Sequence, residues 1–129
     1  MKNWILEVFS IIATGFVYLV GGIDYTLIAL LIIMGLDYIT GVISAIYNKE
    51  LSSKMGFKGI FKKVLMLCII GLAVVVDKLT GETGAVRTLV IYYYVANEGI
   101  SILENLVECD VPFPDKIIEV LKQLQNREK

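Results

Sequence analysis

The chain has 129 residues, of which 57% are hydrophobic and only 19% charged, with a net charge of −1 and a mean hydropathy of +0.73. A soluble domain is nearer about 45–50% apolar and about 25% charged, so the excess points to a membrane protein, and the near-neutral balance gives a nucleic-acid partner no electrostatic support. There is no histidine, and the two cysteines, Cys68 and Cys109, are far apart and outside any CxxC pattern, which removes the commonest general base, the commonest metal ligand and a dithiol redox site.

The first apolar block covers residues 4–23. Lys2 precedes it, and Trp4 suits a membrane interface. A cleaved signal peptide is the rival reading, but the basic flank is weak and no A-x-A pattern follows, so a retained helix is expected. Glu7, Ser10, Thr14, Tyr18 and Gly21 share one face of it. Gly21, Gly22 and Asp24 then mark a short turn.

The second block, residues 26–47, reads TLIALLIIMGLDYITGVISAIY. About 20 helical residues cover a bilayer core of about 30 Å, so this stretch is long enough to span. Yet it carries Asp37 near its middle. A carboxylate there is unfavourable by roughly 2.5–3.5 kcal/mol and calls for a partner or a water-filled path. Asp37, Thr40 or Gly41, Ser44 and Asn48 fall on one face. Gly41 and Ala45 form a small-xxx-small pair that lets helices approach closely.

Residues 48–63 hold Lys49, Lys54, Lys58, Lys62 and Lys63 against the single acid Glu50. Lys54, Lys58 and Lys62 recur every four residues, as in a short basic amphipathic segment on a membrane surface. Gly56 and Gly59 weaken that helix, and an ordinary basic loop is the alternative. The third block, near residues 61–79, is short for a span unless the lysine stems snorkel. Met66, Ile70, Ala73 and Asp77 share its face, and Cys68 reads as a small packing residue.

The fourth block, near residues 87–108, is the least apolar. Tyr94, Asn97 or Glu98, Ser101, Glu104 or Asn105, and Glu108 trace a polar stripe along it. Such a helix either crosses within a bundle, its stripe turned inward, or lies in the interface. Pro112 and Pro114 stop it. Asp115 then fits an N-cap for a short amphipathic helix over residues 116–126, followed by a charged tail. The predicted architecture is all-α. It has a membrane domain over residues 1–110, of about four transmembrane or membrane-associated helices. A cytoplasmic C-terminal helix and tail follow over residues 111–129. The five lysines of 48–63 place that loop in the cytoplasm by the positive-inside rule, and with four spans both termini lie there too. If the first or fourth block does not span, one terminus changes side.

No nucleophile–base pair, phosphate-binding loop or metal-ligand cluster is present, so neither an enzyme nor a cofactor is expected. Instead, each helix carries an acid: Glu7, Asp37, Asp77, and Glu98 with Glu104. One reading pairs these groups inside a compact bundle. Asp77 then meets Lys78 or Arg87, and Asp37 hydrogen-bonds Ser, Thr or Asn neighbours or sits protonated. The other reading turns the stripes to water, in a ring of copies or a hydrated cavity.

Asp37 to Val42 reads DYITGV. The loop SSKMGFKGIFKK follows, then an apolar helix ending in Asp77, then VANEGISILEN and VPFP. In this order the motifs resemble those of the phage lysis and toxin-secretion holin family, over about residues 25–125. The resemblance implies a small multi-span protein of the bacterial cytoplasmic membrane. Such a protein self-assembles into large holes that release an endolysin or a toxin, with lipid and its own copies as physical partners. On this basis Asp37, Thr40, Gly41, Ser44, Asp77, Asn97, Glu98, Ser101, Glu104 and Asn105 are candidates for assembly or pore positions. Lys54, Lys58, Lys62 and Lys63 are candidates for the basic membrane surface. A small ion or solute transporter, with Asp37 and Glu98 as ion or proton sites, and an antiholin-type regulator are the competing functions.

Overall fold

The computed structural model describes residues 2–125, and the described residues are all-α. Five helices follow in order: α1 (Lys2–Leu19), α2 (Tyr25–Tyr47), α3 (Ser53–Thr80), α4 (Ala85–Glu108) and α5 (Lys116–Gln125). Asn126 and the charged tail at 127–129 lie outside the described residues.

Local chemistry explains the boundaries. α1 stops at Leu19, short of the expected residue 23, because Gly21 and Gly22 adopt φ of 80° and 99°, a left-handed conformation that ends a helix. Asp24 opens α2, its carboxylate accepting from the Leu27 N–H at 3.0 Å. Ser52 opens α3 in the same way, accepting from Met55 N–H. The basic segment is therefore the first part of α3 itself, not a separate element before a span at 61–79. Gly56 and Gly59 do not break this helix. Tyr38 of α2 lies over them, and a Cβ on Gly56 would come within 3.2 Å of its hydroxyl. The glycines are the flat ridge on which the tyrosine rests.

α4 begins after Gly84 (φ 95°), with no side chain of its own as cap. Asp77 supplies the missing acceptors from α3. Its carboxylate takes the Val86 N–H and the Arg87 N–H, each at 2.9 Å. The expected ion pair of Asp77 with Lys78 or the Arg87 guanidinium is not what forms; the acid instead satisfies two orphan amides at a helix start.

Three helices, α1, α2 and α3, are long and apolar enough to cross a membrane. Their outward faces are rows of Ile, Leu, Val and Phe, as in Phe9, Ile12, Ile32, Ile39, Leu65 and Leu72. Cys68 also faces outward, a correction to its reading as a packing residue. α4 is the central helix, packed along α2 and α3 and covered by α5, whereas α1 leans lightly on α3 alone. The core is Val20, Leu27, Leu30, Met34, Met66, Ile70 and Ile91. It fills the half of the bundle nearer the α1–α2 and α3–α4 turns. Lipid is as apolar as these side chains, so van der Waals fit and hydrogen bonds hold such a core together.

Candidate functional site

The polar groups converge in the other half of the bundle. Asp37 lies thirteen residues into α2 from Asp24, roughly 20 Å along the axis. There Lys63 of α3 donates to Asp37 Oδ2 and to Glu98 Oε1 of α4, each at 2.8 Å. One ammonium thus joins three helices. All three side chains are largely buried, at 17%, 12% and 8% exposure for Lys63, Asp37 and Glu98. The sequence reading put Lys63 on the membrane surface with its neighbours. The structure turns it inward and leaves Lys54, Lys58 and Lys62 exposed. A signal for this existed: Lys63 continues the face of Met66, Ile70, Ala73 and Asp77, about 100° away from Lys62.

Asn105 completes the centre. Its Nδ2 donates to Thr40 Oγ1 at 2.9 Å and to the Asp37 carbonyl and Oδ1 at 3.2 Å. Thr40 in turn donates back to the Leu36 carbonyl at 2.8 Å. A Cβ on Gly41 would stand 3.6 Å from the Asn105 amide, an ordinary van der Waals contact, so the approach tolerates a small residue there. Further along the same seam Ser44 Oγ donates to Glu108 Oε2 at 2.6 Å, and Tyr47 donates to Asp110 at 3.1 Å. The α2 face of Asp37, Thr40, Gly41 and Ser44 is therefore the face that α4 covers.

The α4 stripe divides. Glu98, Ser101, Asn105 and Glu108 turn toward α2 and α3. Asn97 points to α5, where its Oδ1 accepts from Gln125 Nε2 at 2.6 Å. Glu104 is exposed. Asp77 is buried at the opposite end and belongs to the helix start described above.

A cavity of about 270 Å³ opens beside the centre. It is lined at one end by Glu50 and Ser52 of the α2–α3 turn and at the other by Asp37 and Lys63, with Ser101, Asn105 and Glu108 along α4. Among the described residues no cluster of acids and cysteines has metal-binding geometry.

A second polar knot, absent from the sequence reading, closes the far end. Arg87 is buried at the start of α4. Its Nε donates to the Val20 carbonyl at 2.6 Å, Nη1 to Asp24 Oδ2 at 2.7 Å and Nη2 to the Gly22 carbonyl at 3.0 Å. The guanidinium fork reads the whole α1–α2 turn. Its hydrogen bonds hold the Asp24 carboxyl down at about 2, below the usual 3.8, against a smaller opposing effect of burial. The clue was topological: a hairpin order α1–α2–α3–α4 brings the first and third turns to one end, and these carry Asp24 and Arg87.

With this geometry in hand, comparison with known proteins is decisive. The profile of the bacteriophage holin family matches residues 14–126. The chain belongs to the bacteriophage holin family. Relatives include an uncharacterized 14.9 kDa protein of Clostridium perfringens, 46% identical over 117 residues, 90% of this chain and 89% of that protein. An uncharacterized protein of Listeria monocytogenes is 43% identical over 118 residues, 90% of this chain and 81% of its own. A protein of Bacillus phage phi105 named a probable holin is 34% identical over 109 residues, 84% of this chain and 80% of that protein. No solved structure matches this holin-family chain. The matched region contains both polar knots and the cavity, and it leaves out most of α1.

Proposed function

We propose that this protein is a holin: it accumulates in the bacterial cytoplasmic membrane, self-associates, and opens holes through which an endolysin or a toxin leaves the cell, with lysis as the result. The observation that carries this reading is the family match over residues 14–126, nearly the whole helical bundle. Its phage relative named a probable holin points the same way. The endolysin is a functional partner and passes through the hole; a stable complex with it is not required.

The bundle supplies a physical basis for a two-stage action. In the single chain, Asp37, Glu98, Lys63 and Asn105 satisfy one another, so the monomer can reside in lipid without exposing these groups. The same groups, on α2, α3 and α4, become wall-lining groups of a hydrated hole once helices exchange partners between copies. Thr40, Gly41, Ser44 and Ser101 lie on the same surfaces, whereas Asp77, Asn97 and Glu104 serve other contacts or solvent. In the unassembled chain, lysines 54, 58 and 62 face the cytoplasmic lipid headgroups. In this topology the N-terminus, the 48–52 turn and the 109–115 link lie on the cytoplasmic side, and α5 folds back from that link along α4.

Controlled expression in bacteria that hold an endolysin in the cytoplasm tests the proposal. Abrupt lysis after a lag is expected. Continued growth with the protein inserted would contradict it. A specific observation favours a second reading, a small-solute path: the cavity leads to the charged centre without needing a second copy. The size of what crosses reconstituted vesicles separates the two.

A further inference from the structure

α1 is the least integrated helix, and residues 2–12 are exposed on every side. Contacts at its C-terminal end set its register against α3, where Lys78 Nζ also lies 4.7 Å over the Tyr18 ring. A Cβ on Gly71 would meet Leu19 Cδ1 at 2.6 Å, and one on Gly21 would meet Val74 Cγ2 at 2.9 Å. The pairs ascend together, so the two helices run in the same direction. Glu7 is twelve residues before Leu19, and Gly59 is twelve before Gly71. At 1.5 Å per residue both lie roughly 18 Å from the contact. Glu7 is thus level with Lys58 and Lys62.

These charges are nevertheless aimed apart. At about 100° per residue, Glu7 lies roughly 180° around α1 from Phe16, and Phe16 packs on the core. Ser10 and Thr14 share the outward side of Glu7. On α3, Lys58 and Lys62 lie roughly 140° and 180° from the Gly71 face that meets α1. Among the described residues Glu7, Lys58 and Lys62 are exposed, and the ion pairs present are those of Lys63 with Asp37 and Glu98 and of Arg87 with Asp24. Glu7 and the lysine row are thus opposite charges at one depth on two outward faces, and their own chain holds them apart.

We propose that the occupant of this face is a second copy of the chain: the outward Glu7–Ser10–Thr14 stripe of α1 in one copy packs on the outward Lys58–Lys62 row of α3 in the next. The two surfaces differ, so the contact is head-to-tail. It leaves one free α1 and one free lysine row at the ends of every pair and extends to rings or arrays. The proposal deepens the holin reading by naming its assembly interface, and it rests on that reading only for self-association.

The test uses the full chain, with Cys68 and Cys109 replaced by Ser, in phosphatidylethanolamine–phosphatidylglycerol membranes. Glu7→Lys alone, and Lys58→Glu with Lys62→Glu alone, should each reduce the amine-independent cross-linked ladder by about fivefold. Co-expressing the two variants as differently tagged chains should restore a ladder that carries both tags. A second measurement avoids charge reversal: chains with Glu7→Cys and chains with Lys58→Cys, mixed, should form a disulfide-linked heterodimer. An unchanged ladder in the single variants, restoration only when all three changes share one chain, or no mixed disulfide would each overturn the proposal. Because the readout is cross-linking, a chain that assembles this way yet releases nothing would refute the hole and leave the interface standing.

Discussion

Replacing Lys63 by Met is the sharpest perturbation of the polar centre. The change keeps the length and apolar stem of the side chain but removes the one cation that holds Asp37 and Glu98 at 2.8 Å each. Removing one partner of a buried pair typically lowers stability by about 3–5 kcal/mol, because the other charge is left uncompensated. Two carboxylates are orphaned here, but each retains some solvent access, so the lower end, about 3 kcal/mol, is expected. That corresponds to roughly a hundredfold shift in the folded-to-unfolded ratio. The assay is reversible unfolding of the purified protein in mixed micelles, followed by circular dichroism. The triple variant Lys63→Met, Asp37→Asn, Glu98→Gln removes both orphaned charges and should recover most of the loss, a non-additivity expected of one connected network. A Lys63→Met protein within about 0.5 kcal/mol of the parent, the range of ordinary surface changes, would refute the reasoning.

Other predictions address single links. Asp37→Leu should destabilise less than Lys63→Met, since Lys63 keeps Glu98 as partner, yet it should alter the timing of lysis more than the amount inserted; unchanged timing would show that Asp37 has no part in assembly or opening. The Asp24–Arg87 clasp has a definite pH signature. With the Asp24 carboxyl lowered from 3.8 to about 2 in the folded protein, its contribution is full above about 4 and lost as the pH falls through about 2. The melting difference between the parent and Asp24→Asn should therefore be flat from neutrality to about pH 4 and shrink only below it; a difference gone by about pH 5 would contradict the clasp. Gly99→Ile should dislodge α5, because even a Cβ there would meet Leu121 Cδ2 at 2.8 Å. Faster amide exchange confined to residues 116–125 is the expected readout, with α2 and α3 unaffected.

How much of this was legible in the sequence varies by element. The four long helices and the amphipathic fifth follow from apolar blocks interrupted at Gly21–Gly22, at the polar 48–52 turn, at Gly81–Gly84 and at Pro112–Pro114, because these signals are local, although α3 starts at Ser53 rather than near the expected residue 61. The face of Asp37, Thr40, Gly41 and Ser44 was legible for the same reason, as i, i+3, i+4 spacing along one helix. What covers that face was not legible. Whether α4 offers Asn97 or Glu98, and Glu104 or Asn105, depends on its rotation about its own axis. That rotation is fixed by Lys63 and Asn105 reaching across to α2. The lysine cluster hid a division for a related reason. Lys54, Lys58 and Lys62 keep one face while Lys63 steps to the next, and composition alone counts them together. The Arg87 clasp joins residues 63 positions apart, a contact visible only once the turns are stacked at one end of the bundle. The C-terminal helix was read as an appendage, yet Leu121 on Gly99 and Gln125 on Asn97 seat it along the middle of α4.

The central claim is that copies of this chain open a hole wide enough for a folded protein. Vesicles of phosphatidylethanolamine and phosphatidylglycerol that entrap both a small dye and a folded globular protein test it directly. Rising surface density of the purified chain should release both cargoes together above a threshold. Release of the dye alone at every density, or of neither cargo, would contradict the account.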